Sequence, residues 1–158
     1  MEIADLLSPA AILPTLRTKS KKQLLHDLAA HAGELTGVPQ RRIFETLVER
    51  ERLGSTGMGQ GIAIPHGKLA GLPRILGVFA RLDTPVPFGA VDEQPVDLVF
   101  LLLVPEDAGA DHLKALARVS RLLRSQGTCE KLRIANRSEV LYALLTEPGQ
   151  GHGAQAAA

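Results

Sequence analysis

His66 closes the segment GSTGMGQGIAIPHGK, in which Gly54, Gly57, Gly59 and Gly61 alternate with small or polar residues. A neutral imidazole is one of the few side chains that is nucleophilic near neutral pH. Pro65 biases Ile64 toward extended geometry and withholds a ladder donor. The spacing therefore predicts a short strand over Ile62–Ile64, with His66 presented on a turn at its end. So many glycines before Ile62 imply unusual backbone dihedrals or a close approach to something. A Walker loop would need Lys and then Ser or Thr after the last glycine, where this chain has Ile62. A dinucleotide fingerprint would have to follow a strand and open a helix, whereas this loop follows a helix pattern and enters a strand. Two readings stay open: a purely structural loop, or an anion site lined by backbone amides and the hydroxyls of Ser55 and Thr56.

The other histidines separate by context. His26 falls on the polar face of a helix pattern, His31 borders its apolar stripe, and His152 lies in a low-complexity tail. His112 follows Asp111, a good N-cap, and so belongs to a first helical turn, where the dipole favours neutral imidazole and bound anions. On spacing alone it reads equally well as a surface residue. Both His66 and His112 lie just beyond strand patterns, where ligands bind in open α/β sheets. Arg50 and Arg52 end a helix directly before the glycine loop, and a guanidinium fork suits phosphate oxygens. An ERER helix end is also an ordinary solvated terminus. Two histidines beside Asp111 could begin a zinc site and so a metal-dependent hydrolase, but no third-ligand motif accompanies them.

These residues need a scaffold. Leu24, Leu25, Leu28, Ala32 and Leu35 recur at helical spacing after Ser20 and stop at Gly37. Gln40–Leu53 predicts a second helix. Ile75–Leu82 and Val96–Val104 are the clear strands, the latter apolar without alternation, as in a central strand covered on both faces. The Pro-rich stretch between them predicts a loop with at most a short edge strand. A third helix over Asp111–Ser125 should bury Leu113, Leu116, Ala117, Ser120 and Leu123. Short helices near Cys129–Ala135 and Ser138–Leu145 follow, and the tail from residue 148 reads as disordered. The sum is one α/β domain over residues 1–147, a sheet flanked by helices on both faces.

Bulk properties narrow the function. Aromatics make up 3% of the chain and the formal net charge is +1, a poor basis for base stacking or for attracting polyanions, so no nucleic-acid role is expected. The basic run Arg17–Lys22 reads as a solvated helix start. The single cysteine, Cys129, can form no internal disulfide and no cysteine metal site. No apolar run reaches the ~18 residues that span a bilayer. The N-terminus does not read as a signal peptide, so a cytoplasmic protein is expected.

With these residues in view, RERLGSTGMGQGIAIPHGK resembles the active-site signature of the fructose/mannitol-type enzyme IIA domains of the bacterial phosphoenolpyruvate-dependent phosphotransferase system. The likeness continues through ILGVFARLDTPVPFGAVDEQPVDLVFLLLVP and DHLKALARVSRLL, from about Leu6 to Leu145. Within that family it is most similar to the nitrogen-regulatory type. The resemblance implies a mixed sheet flanked by helices. It implies His66 as the phosphorylated nucleophile, through Nε2, and His112 beside the phosphoryl group. Arg50 would be its phosphate-binding arginine, with Thr56 close by. It also implies a histidine phosphocarrier protein as phosphate donor, and no metal, nucleotide or other cofactor. Downstream it implies regulatory targets such as potassium-transport or sensor-kinase proteins. The alternative is a cysteine on a sugar-specific IIB domain.

Overall fold

The computed structural model describes residues 1–147, so the predicted tail lies outside the described residues. A short helix α1 (Ile3–Leu6) and a 3-10 turn (Pro9–Ala11) lead into β1 (Ile12–Leu16). The helical hairpin follows as α2 (Lys21–Thr36) and α3 (Gln40–Arg52). Ser20 caps α2 by accepting the Gln23 N–H at 3.1 Å, and Gly37 ends it in the left-handed region with φ of 78°. Then come β2 (Gly57–Gly59), β3 (Ile62–Ala63), β4 (His66–Leu69), β5 (Leu76–Val86) and β6 (Val96–Pro105). The chain closes with α4 (Ala110–Arg124), α5 (Gln126–Ile134) and α6 (Ser138–Thr146). Among the described residues no helix is long and apolar enough to cross a membrane.

The strands form one mixed six-stranded sheet in the order β1-β5-β6-β3-β2, with β4 also on β6. β5 and β6 are antiparallel, whereas β1–β5, β3–β6 and β4–β6 are parallel. Leu98 to Val104 are all fully buried, and alternate side chains point to opposite faces, so β6 is covered on both sides. The mixed sheet with helices on both faces is as expected. α2 packs on α3 on one side, and α1, α4, α5 and α6 pack together on the other.

Three expectations need correction, and one strand was not anticipated. The Pro-rich stretch after Leu82 was expected to be loop with at most a short edge strand, but its start extends β5 to Val86, which pairs with Val96. Strand β1, with Pro14 inside it, carries too short an apolar signal to predict, and the proline is tolerated because β1 is an edge strand. The glycine loop is largely a hairpin, β2–β3, whose turn residues Gln60 and Gly61 both have positive φ, 57° and 83°, as a type I′ turn requires. On α4 the buried residues are Ala115, Val119, Leu122 and Leu123, while Leu113 is 68% exposed and Ala117 also faces outward. Two helical stripes compete in that sequence, and the one carrying the smaller residues packs.

Gly77 marks how tightly the central strands are overlaid. A Cβ there would stand 2.7 Å from Phe100 Cε1 and 3.3 Å from the Leu6 carbonyl. Phe100 cannot retreat easily, being fully buried and edge-on to Phe79 at 6.3 Å. Gly77→Ala is expected to destabilise the fold by about 1–3 kcal/mol, read as a lower urea midpoint, as overpacking does. Gly77→Ala combined with Phe100→Leu should recover part of that loss.

Candidate active site

Strands β3 and β4 are two pieces of one strand. Ile62 pairs with Leu98, Ala63 with Val99, His66 with Leu102 and Gly67 with Leu103, so no residue is inserted across the break. Pro65 has no N–H to donate, but its carbonyl accepts from Leu102 N at 2.9 Å and keeps the register. His66 therefore opens a continuing strand rather than sitting on a turn beyond its end, which corrects the sequence expectation. Alternation then sets its direction. Gly67 faces α3, where a Cβ would meet Thr46 Cγ2 at 2.6 Å, so His66 points to the opposite face.

On that face stands α4. Its N-cap is Gly109, not Asp111, because the positive φ of 59° at Gly109 turns the chain into the helix two residues early. His112 thus falls in the first turn, with its ring centroid 5.5 Å from that of His66. Its Nε2 is buried and has no hydrogen-bond partner among the described residues. Burial, then the charges of His66 and Lys68, push the His112 pKa below the ordinary histidine range.

The two nitrogens of His66 have different duties. Nδ1 lies 2.9 Å from the Ile64 carbonyl, which can only accept, so Nδ1 carries the proton. Nε2 is then the unprotonated nitrogen, and it accepts from Arg50 Nε at 3.3 Å. Arg50 is held at the end of α3 by a second bond, Nη1 to the Gly54 carbonyl, at 2.9 Å. Arg52 is turned to Glu49 at 2.5 Å and stays on the surface. Beside His66 lies an open cleft of about 210 Å³, lined by Arg50, Ser55 to Met58, Ile64, and Leu116 and Ser120 of α4. Leu116, half-buried, packs against the core and lines the cleft as well, while Ser120, expected in the core, is half-buried at the cleft.

Ser55 and Thr56 line this cleft, but their polar groups are engaged elsewhere. Ser55 Oγ donates to the Phe88 carbonyl at 3.1 Å and accepts from Gly57 N at 3.0 Å. Thr56 gives both its N–H and its hydroxyl to the Glu51 carboxylate. The loop is held rather than open. Its hairpin tip is clamped as well: Gln60 N donates to Asp92 at 2.8 Å, and Arg133 donates to the Gln60 carbonyl at 2.7 Å. Sequence reasoning missed Glu51, although its place one residue after Arg50 in the last turn of a helix was a usable signal. His26 and His31 sit outside the site, against Gln40 and the Ala10 carbonyl. Among the described residues no group of three or more His, Cys, Asp or Glu is placed to hold a metal ion.

The lowered His112 pKa has a consequence for stability. Between that lowered value and about 6.5 the unfolded chain binds more protons than the folded one. Stability therefore rises with pH through this window and falls as acid is added. His112→Gln is expected to flatten that section of the Tm–pH profile; an unaltered slope would show that His112 is not the responsible group.

Residues 5–147 match the family described as the phosphoenolpyruvate-dependent sugar phosphotransferase system, EIIA 2. A protein of Bradyrhizobium diazoefficiens called nitrogen regulatory protein is 58% identical over 148 residues, covering 94% of this chain and 97% of that one. An Escherichia coli K12 protein of the same name is 40% identical, covering 93% and 91%. The crystal structure of nitrogen regulatory protein IIA-Ntr from Neisseria meningitidis superposes with a TM-score of 0.86 at 38% identity, covering 91% of this chain and 99% of that one. A histidine aimed at an arginine on one strand edge, the mixed sheet that aims it, and a match over almost the whole described chain place this protein in the type 2 enzyme IIA family of the phosphotransferase system.

Proposed function

We propose that His66 accepts a phosphoryl group on Nε2 from a phosphohistidine of a small carrier protein. The observation that carries this reading is the division of labour on the imidazole, with Nδ1–H fixed on a backbone carbonyl and Nε2 facing a guanidinium. In the transfer, the Nε2–P bond forms as the donor's N–P bond breaks. The donor ring, protonated on its other nitrogen, leaves as neutral imidazole. The Nδ1–H of His66, held on the Ile64 carbonyl, then bears the positive charge of the new phosphoimidazole. Arg50 moves its hydrogen bond from Nε2 to the phosphoryl oxygens, and the His112 ring, 5.5 Å from that of His66, is the second group to meet them. Donor and product are both phosphohistidines, so the step needs positioning and spread positive charge more than driving force.

Protein-borne delivery fits the surroundings. The cleft is smaller than the ~300 Å³ at which small-molecule sites begin. Apolar side chains line it, Met58 at 40% exposure and the half-buried Leu116, the makings of a docking collar. The names of relatives support a regulatory downstream role: a protein 58% identical is called nitrogen regulatory protein. In this reading phosphorylation is a switch that adds about −1.5 to −2 charge at the centre of a contact surface and so selects cytoplasmic partners.

The test is phosphotransfer with phosphoenolpyruvate, enzyme I and a histidine phosphocarrier protein, read as an acid-labile mass gain of one phosphate. His66→Ala is expected to abolish labelling, and full labelling of that variant would overturn the assignment. Arg50→Ala should fold normally and transfer about 10²-fold more slowly, the usual cost of one preorganised donor. Fast onward transfer to the cysteine of a sugar-specific IIB domain would replace the regulatory role with a transport role.

A further inference from the structure

Glu51 is a buried carboxylate that the phosphoryl chemistry above does not use. Its side chain is 6% exposed and three donors converge on it. Lys21 Nζ of α2 approaches at 2.9 Å, Thr56 N donates at 3.1 Å, and the Thr56 hydroxyl donates to the second carboxylate oxygen. Lys21 is itself fixed by the Phe88 carbonyl at 3.1 Å and by the Phe88 ring, 4.3 Å from its centroid. Burying a charge pair costs desolvation, and stability alone would be served as well by an apolar plug of the same volume. The arrangement has a different product: it fixes Thr56 in position.

From Thr56 a chain of backbone bonds leads to the reacting ring. The Thr56 carbonyl accepts from Ile64 N at 3.1 Å, and the Ile64 carbonyl accepts from His66 Nδ1 at 2.9 Å. Glu51 also follows Arg50 in the last turn of α3, so one short segment supplies the group facing Nε2 and, through Thr56, the group facing Nδ1. We infer that Glu51 is the positioning residue of the site: through Thr56 and Ile64 it holds His66 in the Nδ1–H tautomer with Nε2 aimed at the incoming phosphorus. This rests on His66 being the phosphoryl acceptor. A displacement near 1 Å at a reacting atom is worth up to about 100-fold in rate, so a loosened Thr56 should be felt at His66.

Glu51→Gln keeps the shape and removes the charge. Thr56→Val keeps the branch and removes the hydroxyl, and Thr56→Ser restores it. Two readouts are needed: the rate of phosphoryl transfer to His66, and the ring ¹⁵N signals of His66 in the unphosphorylated, folded protein. For Glu51→Gln and Thr56→Val the expected result is a 10- to 100-fold lower transfer rate with an unchanged KM for the carrier. The ¹⁵N signals should change from one Nδ1–H tautomer to an exchanging mixture. Thr56→Ser should resemble the wild type in both. The inference is overturned if both variants, folded, keep the single tautomer, or if rate falls only in proportion to the unfolded fraction. Should Glu51→Gln not fold, Thr56→Val alone decides. A wild-type protein that takes no phosphate would sink the parent reading, while the tautomer comparison would still decide the role of Glu51.

Discussion

The site depends on a strand that loses two residues of pairing without losing its register. Between Ala63 and His66 the edge of the sheet continues to follow β6, yet Pro65 cannot donate to it and Ile64 faces the opposite edge. Ile64 then spends both backbone groups on the site, its N–H on Thr56 and its C=O on His66. Both groups point to the edge opposite β6, where the C=O is open to the imidazole. A true break would have let the register slip, and a slip of one residue would turn His66 to the α3 face. Leu102 N bonding to the Pro65 carbonyl prevents that.

The electrostatics follow from the same economy of groups. The two histidines approach to 5.5 Å between ring centroids, so two positive rings there would repel, and burial adds to the pressure on His112 to stay neutral. Positive charge is supplied instead by Arg50, which cannot lose its proton and whose second bond to Gly54 keeps it at the helix end. Glu51, next in sequence, does not cancel that charge, because Lys21 is bound to it on the other side. The hairpin beyond is anchored at its tip by Asp92, whose carboxyl is held below the usual range by the N–H groups of Gln60 and Gln94. The loop's position is thus decided at both ends before any partner arrives.

Much of this was legible from residue types. Ser20 and Gly37 bound α2 because a cap and a left-handed stop are chemical requirements, and the apolar run ending at Pro105 could only be a central strand. Arg50 and His112 could be named from spacing and family likeness, but their distances to His66 could not. What stayed hidden depended on tertiary choice. Ala115, Val119 and Leu122 form as good a helical stripe as Leu113, Leu116 and Ser120, and only the shape of the sheet decides which is buried. The hydroxyls of Ser55 and Thr56 looked like anion ligands because sequence cannot show that Phe88 and Glu51, far and near in the chain, reach them first.

That choice on α4 bears on function. As folded, Leu116 and Ser120 stand beside His66 and Leu113 lies exposed one turn earlier. His66 Nε2 therefore sits in a small polar centre with apolar neighbours on both the hairpin side, at Met58, and the helix side, at Leu116. Such a surface is poor at enclosing a free metabolite and good at excluding water when another protein closes over it. Exclusion of water matters here because the field of Arg50 strengthens as the surroundings dry. The packing of one helix thus decides both who can approach His66 and how well the charge there is felt.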